Sequence, residues 1–204
     1  MLTSLPNLLT LSRILVIPII VGLFFIREAW AAWTACALFT TAAITDYLDG
    51  YLARSWAQVS MIGKFLDPIA DKLLVAATLF MLVAVDKLEG IAVLPAVVIL
   101  LREVAVSGLR EFLAGLQVGV PVSRLAKWKT AIQLTALGIL IVGDDGPSEI
   151  PVQAIGTILL WAAGLLTLIT GWDYLRAGWK HMIEEPPPLP PQRAGSAETA
   201  RTAG

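Results

Sequence analysis

The chain is short of charge, of cysteine and of histidine. Of its 204 residues, 15% are Asp, Glu, Lys or Arg and 57% are hydrophobic. A soluble domain carries about 25% charged residues, so the shortage argues against an ordinary water-facing surface and points to lipid as the solvent. The single cysteine, Cys36, excludes an intramolecular disulfide and a thiolate metal cage. It stands in an apolar run and reads as a small packing residue. The single histidine, His181, follows the last apolar run and reads as solvated or interfacial. Met1 to Thr10 holds no basic residue, and the long run after it contains Arg13 and Pro18, which argues against a cleaved signal peptide. A net charge of −1 gives no pointer to nucleic acid, and no nucleic-acid partner is expected.

Long apolar runs are what the chain has instead. Six stand out: Leu8–Ile26, Trp30–Leu52, Leu66–Val85, Ile91–Leu109, Trp128–Val142 and Val152–Trp172, the fifth starting as early as Leu125. A helix needs roughly 20 apolar residues to cross a bilayer. Backbone groups in hydrocarbon must pair within their own segment, and barrel strands would alternate in polarity, so these runs read as helices. The expected fold is an all-α polytopic membrane protein with six transmembrane helices over residues 1–182. Residues 183–204, with the run Pro-Pro-Pro-Leu-Pro-Pro, are expected to form a disordered cytoplasmic tail.

Charge bias orients the spans. Arg13, Arg54, Lys64, Lys72, Arg102, Arg110, Arg124, Lys127, Lys129, Arg176, Lys180, Arg193 and Arg201 fall on one side, 13 of the 15 basic residues. Arg27 and Lys87 fall on the other, beside Glu28, Asp86, Glu89, Asp144, Asp145 and Glu149. The positive-inside rule then predicts both termini in the cytoplasm. Trp30, Trp33, Trp56, Trp128 and Trp172 lie near predicted span ends, where interfacial aromatics collect, while Trp161 is expected deeper.

Four aspartates break the apolar pattern at the cytoplasmic ends of the second and third helices. Asp46 and Asp49 are three apart and Asp67 and Asp71 four apart, so each pair shares a helix face. Gly50, Ala53 and Gly63 would let the two helices approach closely. Carboxylates brought together repel unless cations neutralise them, and an all-oxygen set suits Mg²⁺ or Mn²⁺. Carboxylates in or near a membrane also serve ion pathways, so an ion-coupled transporter is the rival class. That class predicts charges deep in the spans or helices broken near mid-membrane. The four aspartates cluster at one interface instead.

The run Asp46-Tyr-Leu-Asp49-Gly50-Tyr-Leu-Ala53-Arg54, followed by Gly63, Asp67 and Asp71 at fixed spacing, resembles the signature of the CDP-alcohol phosphotransferase family at all eight fixed positions. Average residue usage makes a chance match at one start position on the order of 10⁻¹⁰. The resemblance implies a six-helix membrane enzyme, usually a homodimer, that transfers a phosphate-linked group from a CDP-activated donor to an alcohol and releases CMP. It implies that Asp46, Asp49, Asp67 and Asp71 hold two Mg²⁺ or Mn²⁺ ions and that Asp71 is the general base. It assigns Asn7, Thr10, Gly50, Arg54, Ser60 and Gly63 to the CDP donor. The active site is then expected at the cytoplasmic ends of helices two and three.

The acceptor is read from two further stretches, Arg102-Glu-Val-Ala-Val-Ser-Gly-Leu-Arg110 and Ala126-Lys-Trp-Lys-Thr-Ala-Ile-Gln133. They resemble the branch of the family whose donor is CDP-diacylglycerol and whose acceptor is glycerol 3-phosphate. A phosphorylated acceptor brings a dianion to a carboxylate-rich site and needs fixed cations. Arg102, Arg110, Lys127 and Lys129 are the candidates, and Arg102 and Arg110, eight apart, lie roughly on one helix face. Glu103 is expected to orient one of the arginines or bound the pocket, and Ser107 and Gly108 to allow close helix contact. Serine, inositol phosphate and phosphatidylglycerol are the alternative acceptors. A bacterial inner membrane is the expected location.

Overall fold

A computed structural model describes the backbone over residues 5–56, 61–115 and 124–183, and the side chains over 10–45, 66, 69–115 and 125–176. Six α-helices occupy these residues: α1 (Leu5–Phe24), α2 (Ala29–Trp56), α3 (Met61–Ala84), α4 (Val93–Gly115), α5 (Arg124–Val142) and α6 (Val152–Ile183). No strand occurs among the described residues. Each predicted apolar run lies mainly within one helix, but the helices outrun the apolarity. α2 continues past Leu52 to Trp56, α4 past Leu109 to Gly115, and α6 past Trp172 to Ile183. Hydropathy registers where lipid begins, whereas a helix continues as long as its backbone bonds do. The expected tail over 183–204 lies outside the described residues, apart from the last residue of α6.

By length and composition, Gly90–Gly115, Leu125–Asp145 and Val152–Arg176 are each apolar enough to cross a bilayer. Thr10–Phe24 and Ala29–Thr45 are shorter apolar stretches. The outside of the bundle matches a lipid solvent. On α4, Leu94, Val97, Leu101 and Val104 follow each other at helical spacing and are all exposed, and Ile158, Leu165, Leu168 and Ile169 do the same on α6. Trp30, Trp33, Trp128 and Trp172 are also exposed, which suits an interfacial belt, whereas Trp161 is only partly exposed. The fold is that of an all-helical membrane protein.

All six helices contribute to one core, in which Ile20, Phe39, Leu74, Leu82, Ile99, Leu137, Leu140 and Leu160 are buried. Cys36 packs against this core and its thiol donates to the Gly138 carbonyl at 3.3 Å. Its expected packing role fits that setting. α5 and α6 make the broadest helix pair, α4 lies against α6, and α3 packs on α1, α4 and α5.

One end of the bundle is closed by its turns. The Lys87 ammonium donates to the Ile141 and Val142 carbonyls at 2.7 and 3.0 Å and to the Asp145 carboxylate at 3.0 Å. It thereby satisfies two carbonyls that the end of α5 leaves without helical partners. Gln153, at the start of α6, donates in return to the Lys87 carbonyl. Gly143 fits between them: its φ is +53°, and a Cβ there would stand 2.8 Å from Gln153 Oε1. The α3–α4 turn is thus stapled to the α5–α6 turn. Lys87→Met is expected to lower stability by about 1 kcal/mol, because bonds to a charged donor are lost while the pair is partly solvated. Thermal unfolding in detergent measures it; an unchanged midpoint would show that the staple contributes nothing.

Candidate functional site

The opposite end of the bundle is open. The last three turns of α2 carry Asp46, Asp49, Gly50 and Arg54, and the first three turns of α3 carry Gly63, Asp67 and Asp71. Asp71 is the one aspartate of the four whose side chain lies among those described, and it is partly exposed. The side chains of Asn7, Asp46, Asp49, Arg54 and Asp67 lie outside the described set, and Ser60 lies outside the described residues altogether. Thr10 is buried in α1, as is Arg13 one turn later; both have polar partners, so neither is a free surface group.

Asp71 faces a cavity of about 810 Å³ built from four more helices. α4 supplies Arg102, Glu103, Ser107, Arg110 and Glu111; α5 supplies Lys127, Lys129 and Thr130; α6 supplies Tyr174. α2 reaches the wall at Ala43, one turn before Asp46. All four cations expected to meet the acceptor therefore share one cavity with the expected base. The eight-residue spacing of Arg102 and Arg110 puts both on this wall. Ser107 lines the cavity too. Gly108 differs from the expectation: nothing described lies within 4 Å of where its Cβ would stand, so it makes no close helix contact among the described residues.

The four cations are not equivalent. Lys129 has a 4% exposed side chain and forms an ion pair with Glu103, whose own side chain is 19% exposed. Glu103 also lies 3.6 Å from a guanidinium nitrogen of Arg102. Arg102 donates to the Thr170 hydroxyl at 3.3 Å and sits over the Tyr174 ring, 5.7 Å from its centroid. Arg110 and Lys127 are exposed at the rim. Two cations are thus held by partners in the wall, and two are exposed. Glu103 lies against both Arg102 and Lys129 and also lines the cavity.

Among the described lining residues, Lys72 and these four make five cations against Asp71, Glu103 and Glu111, a formal surplus of two positive charges in that set. Such a surplus in a partly enclosed space suits a phosphate monoester dianion. Sequence reasoning missed Tyr174, Thr170 and Gln133. Tyr174 sits beyond the last apolar run, 72 residues from Arg102, and no spacing rule connects them. Gln133 was the unremarked end of the second acceptor stretch. It is buried, with Oε1 unpartnered, and helps to line a smaller pocket with Asp71, Lys72, Glu103 and Thr130.

No group of three or more His, Cys, Asp or Glu side chains forms a metal cage among the described residues. The chemistry of the donors does fit a hard cation. Asp71 offers carboxylate oxygens, and the other three aspartates stand on the adjoining turns of α2 and α3.

The chain matches the CDP-alcohol phosphatidyltransferase family over residues 3–169. A protein of Rickettsia typhi named CDP-diacylglycerol–glycerol-3-phosphate 3-phosphatidyltransferase is 51% identical over 85% of this chain and 96% of its own length. A protein of the same name from Cereibacter sphaeroides is 37% identical over 89% of this chain and 98% of its own. A rice protein named cardiolipin synthase (CMP-forming) is 36% identical over 90% of this chain and 60% of its own. With its eight-position signature intact and its helices converging on the cavity that Asp71 shares with Arg102, Arg110, Lys127 and Lys129, the chain belongs to the CDP-alcohol phosphatidyltransferase family.

Proposed function

We propose that this chain transfers the phosphatidyl group of CDP-diacylglycerol to glycerol 3-phosphate, giving phosphatidylglycerol phosphate and CMP. The observation that carries the choice of acceptor is the cavity in which Arg102, Arg110, Lys127 and Lys129 line one wall with Asp71, with a surplus of two positive charges among the described lining residues. Serine, a zwitterion, would not need that surplus. The names of the Rickettsia and Cereibacter relatives support the same donor and acceptor.

Asp46, Asp49, Asp67 and Asp71 would hold two Mg²⁺ or Mn²⁺ ions, which neutralise charge on the diphosphate and stabilise departing CMP. The chain's own residues do the rest. Gly50 admits the donor close to the α2 backbone, and Arg54 offers a fork of donors to its phosphates. Asn7, Thr10, Ser60 and Gly63 complete the donor side. The acceptor's phosphate is attracted by Arg110 and Lys127 at the rim and held by Arg102 and Lys129 in the wall. Asp71 receives the proton of the acceptor's primary hydroxyl as its oxygen attacks the donor's β-phosphorus, and the bond to CMP breaks. The donor's acyl chains remain in lipid beside the exposed apolar faces.

In this reading all six helices span a bacterial inner membrane, with both termini and the cavity on the cytoplasmic side, and the chain acts as a homodimer. The distribution of basic residues supports that orientation. A second reading, phosphatidylglycerol as acceptor, is favoured by the rice relative. Its phosphodiester carries one negative charge and needs less of the surplus. The test is purified protein with Mn²⁺, labelled CDP-diacylglycerol and a panel of acceptors. Glycerol 3-phosphate is expected to be used at least about 10²-fold better than serine, since a site built for a charged group rejects ligands lacking it, and to be preferred over inositol phosphate and phosphatidylglycerol. A preference for any of the others would overturn the assignment.

A further inference from the structure

We propose that Thr170, Gly171 and Tyr174 on α6 form a cradle that fixes the aim of Arg102, making them positioning residues for the phosphate end of the acceptor. The proposal rests on the reading of Arg102 as a ligand of that phosphate.

The Arg102 side chain leaves α4 toward α6 and is 12% exposed. Its stem crosses α6 at Gly171, where an added Cβ would stand 3.0 Å from Arg102 Cγ and 3.5 Å from Nε. Nε itself is buried with no hydrogen-bond partner, so the course of the stem is set by the space over Gly171 and not by a bond. Beyond that crossing, Nη2 meets Thr170 Oγ1 at 3.3 Å. The Thr170 hydroxyl proton is committed to the Leu166 carbonyl at 2.8 Å, so it presents lone pairs to the guanidinium and accepts. Tyr174, 6% exposed, places its ring face 5.7 Å from the guanidinium carbon and lines the cavity itself. Glu103 Oε1, 3.6 Å from Nη1, closes the remaining side.

The guanidinium is therefore held on its stem, one nitrogen and one face. The Thr170 contact occupies only part of its planar fork, which leaves donors for a phosphate. A lysine at the same place would lack both the stacking plane and the fork. The cradle comes from one turn of α6, at positions that neither the aspartate signature nor the two acceptor stretches include.

Steady-state kinetics of the full-length enzyme in detergent micelles, with CDP-diacylglycerol and glycerol 3-phosphate, tests this. Gly171→Ala is expected to raise KM for glycerol 3-phosphate about tenfold and leave kcat and the donor KM within about twofold, since a displaced positioning group weakens one ligand selectively. Gly164→Ala is the control: its Cβ would stand 3.0 Å from Pro95 on the same α4–α6 seam, outside the cavity wall. It is expected to leave the acceptor KM unchanged. If Gly171→Ala does not fold, Tyr174→Leu serves, with a rise of several-fold that Tyr174→Phe largely rescues because the ring face remains. An unchanged acceptor KM in Gly171→Ala or Tyr174→Leu, or an equal rise in Gly164→Ala, would overturn the cradle. Arg102→Met, which removes the charge, separates the two readings. If it leaves the acceptor KM unchanged, Arg102 does not bind the acceptor and both fall. If it raises KM while the α6 variants do not, the acceptor reading stands and the cradle alone fails.

Discussion

Asp71→Asn is expected to lower kcat by about three orders of magnitude or more, while KM for glycerol 3-phosphate stays within about threefold. Asparagine keeps the size and one oxygen of the side chain but cannot accept the hydroxyl proton. Loss of general-base action alone spans roughly 10²–10⁴ in rate. Asp71 also belongs to the proposed metal set, so a second variable separates its two roles. Turnover is measured in Asp71→Asn across a wide range of Mn²⁺. If high Mn²⁺ restores wild-type kcat, Asp71 serves as a metal ligand and not as the base. If turnover is wild-type at ordinary Mn²⁺, both roles are wrong. The expected result is a low kcat at every concentration.

The second large effect belongs to Lys129. Its pair with Glu103 is the most enclosed charge pair described in the cavity wall. Removing one member of a buried pair leaves the other uncompensated, at a cost of about 3 kcal/mol or more. Lys129→Met is therefore expected to lower the unfolding midpoint in detergent by about 8 °C for a chain of this length. Glu103 would then neutralise Arg102 more fully, and the acceptor KM should rise as well. The double variant Glu103→Gln, Lys129→Met removes the orphaned charge. It is expected to recover most of the stability but not the acceptor affinity. Recovery of both would mean that the pair is structural and that Lys129 has no part in binding phosphate.

The contrast between these two residues shows what the sequence could reveal. Asp71 was legible because its partners in the signature are near it: Asp67 lies one turn away and Asp46 and Asp49 lie just across a short connection. Helical periodicity is local information, and it placed both pairs on helix faces. The six helices were legible for a related reason, since a lipid solvent demands long apolar segments. Lys129 was legible as a cation on the correct side, but not as a paired one. Its partner Glu103 is 26 residues away on another helix. Which faces of α4 and α5 meet depends on how side chains interdigitate across the seam, and no single helix encodes that. The same holds for Arg102 and α6. Gly164 against Pro95 and Gly171 against Arg102 set the approach of those helices, yet a glycine in an apolar run announces neither its partner nor its purpose. Boundaries were read short at the C-terminal ends of α2, α4 and α6, because hydropathy falls there while the helices continue.

The staple at Lys87 has a mechanical consequence for the cavity at the other end. It pins the ends of α3 and α5 that lie farthest from Asp71 and Lys129, through three bonds from one ammonium. With that end pinned, relative tilting of the helices has its pivot there. α5 has 19 residues and is about 28 Å long at 1.5 Å per residue. A tilt of about 2° about the pivot moves its far end by about 1 Å, a displacement large enough to matter for catalytic alignment. On the proposed function, such a bundle would work as a pair of forceps jointed at its Lys87 end, with small rotations at the joint opening or narrowing the grip on the acceptor.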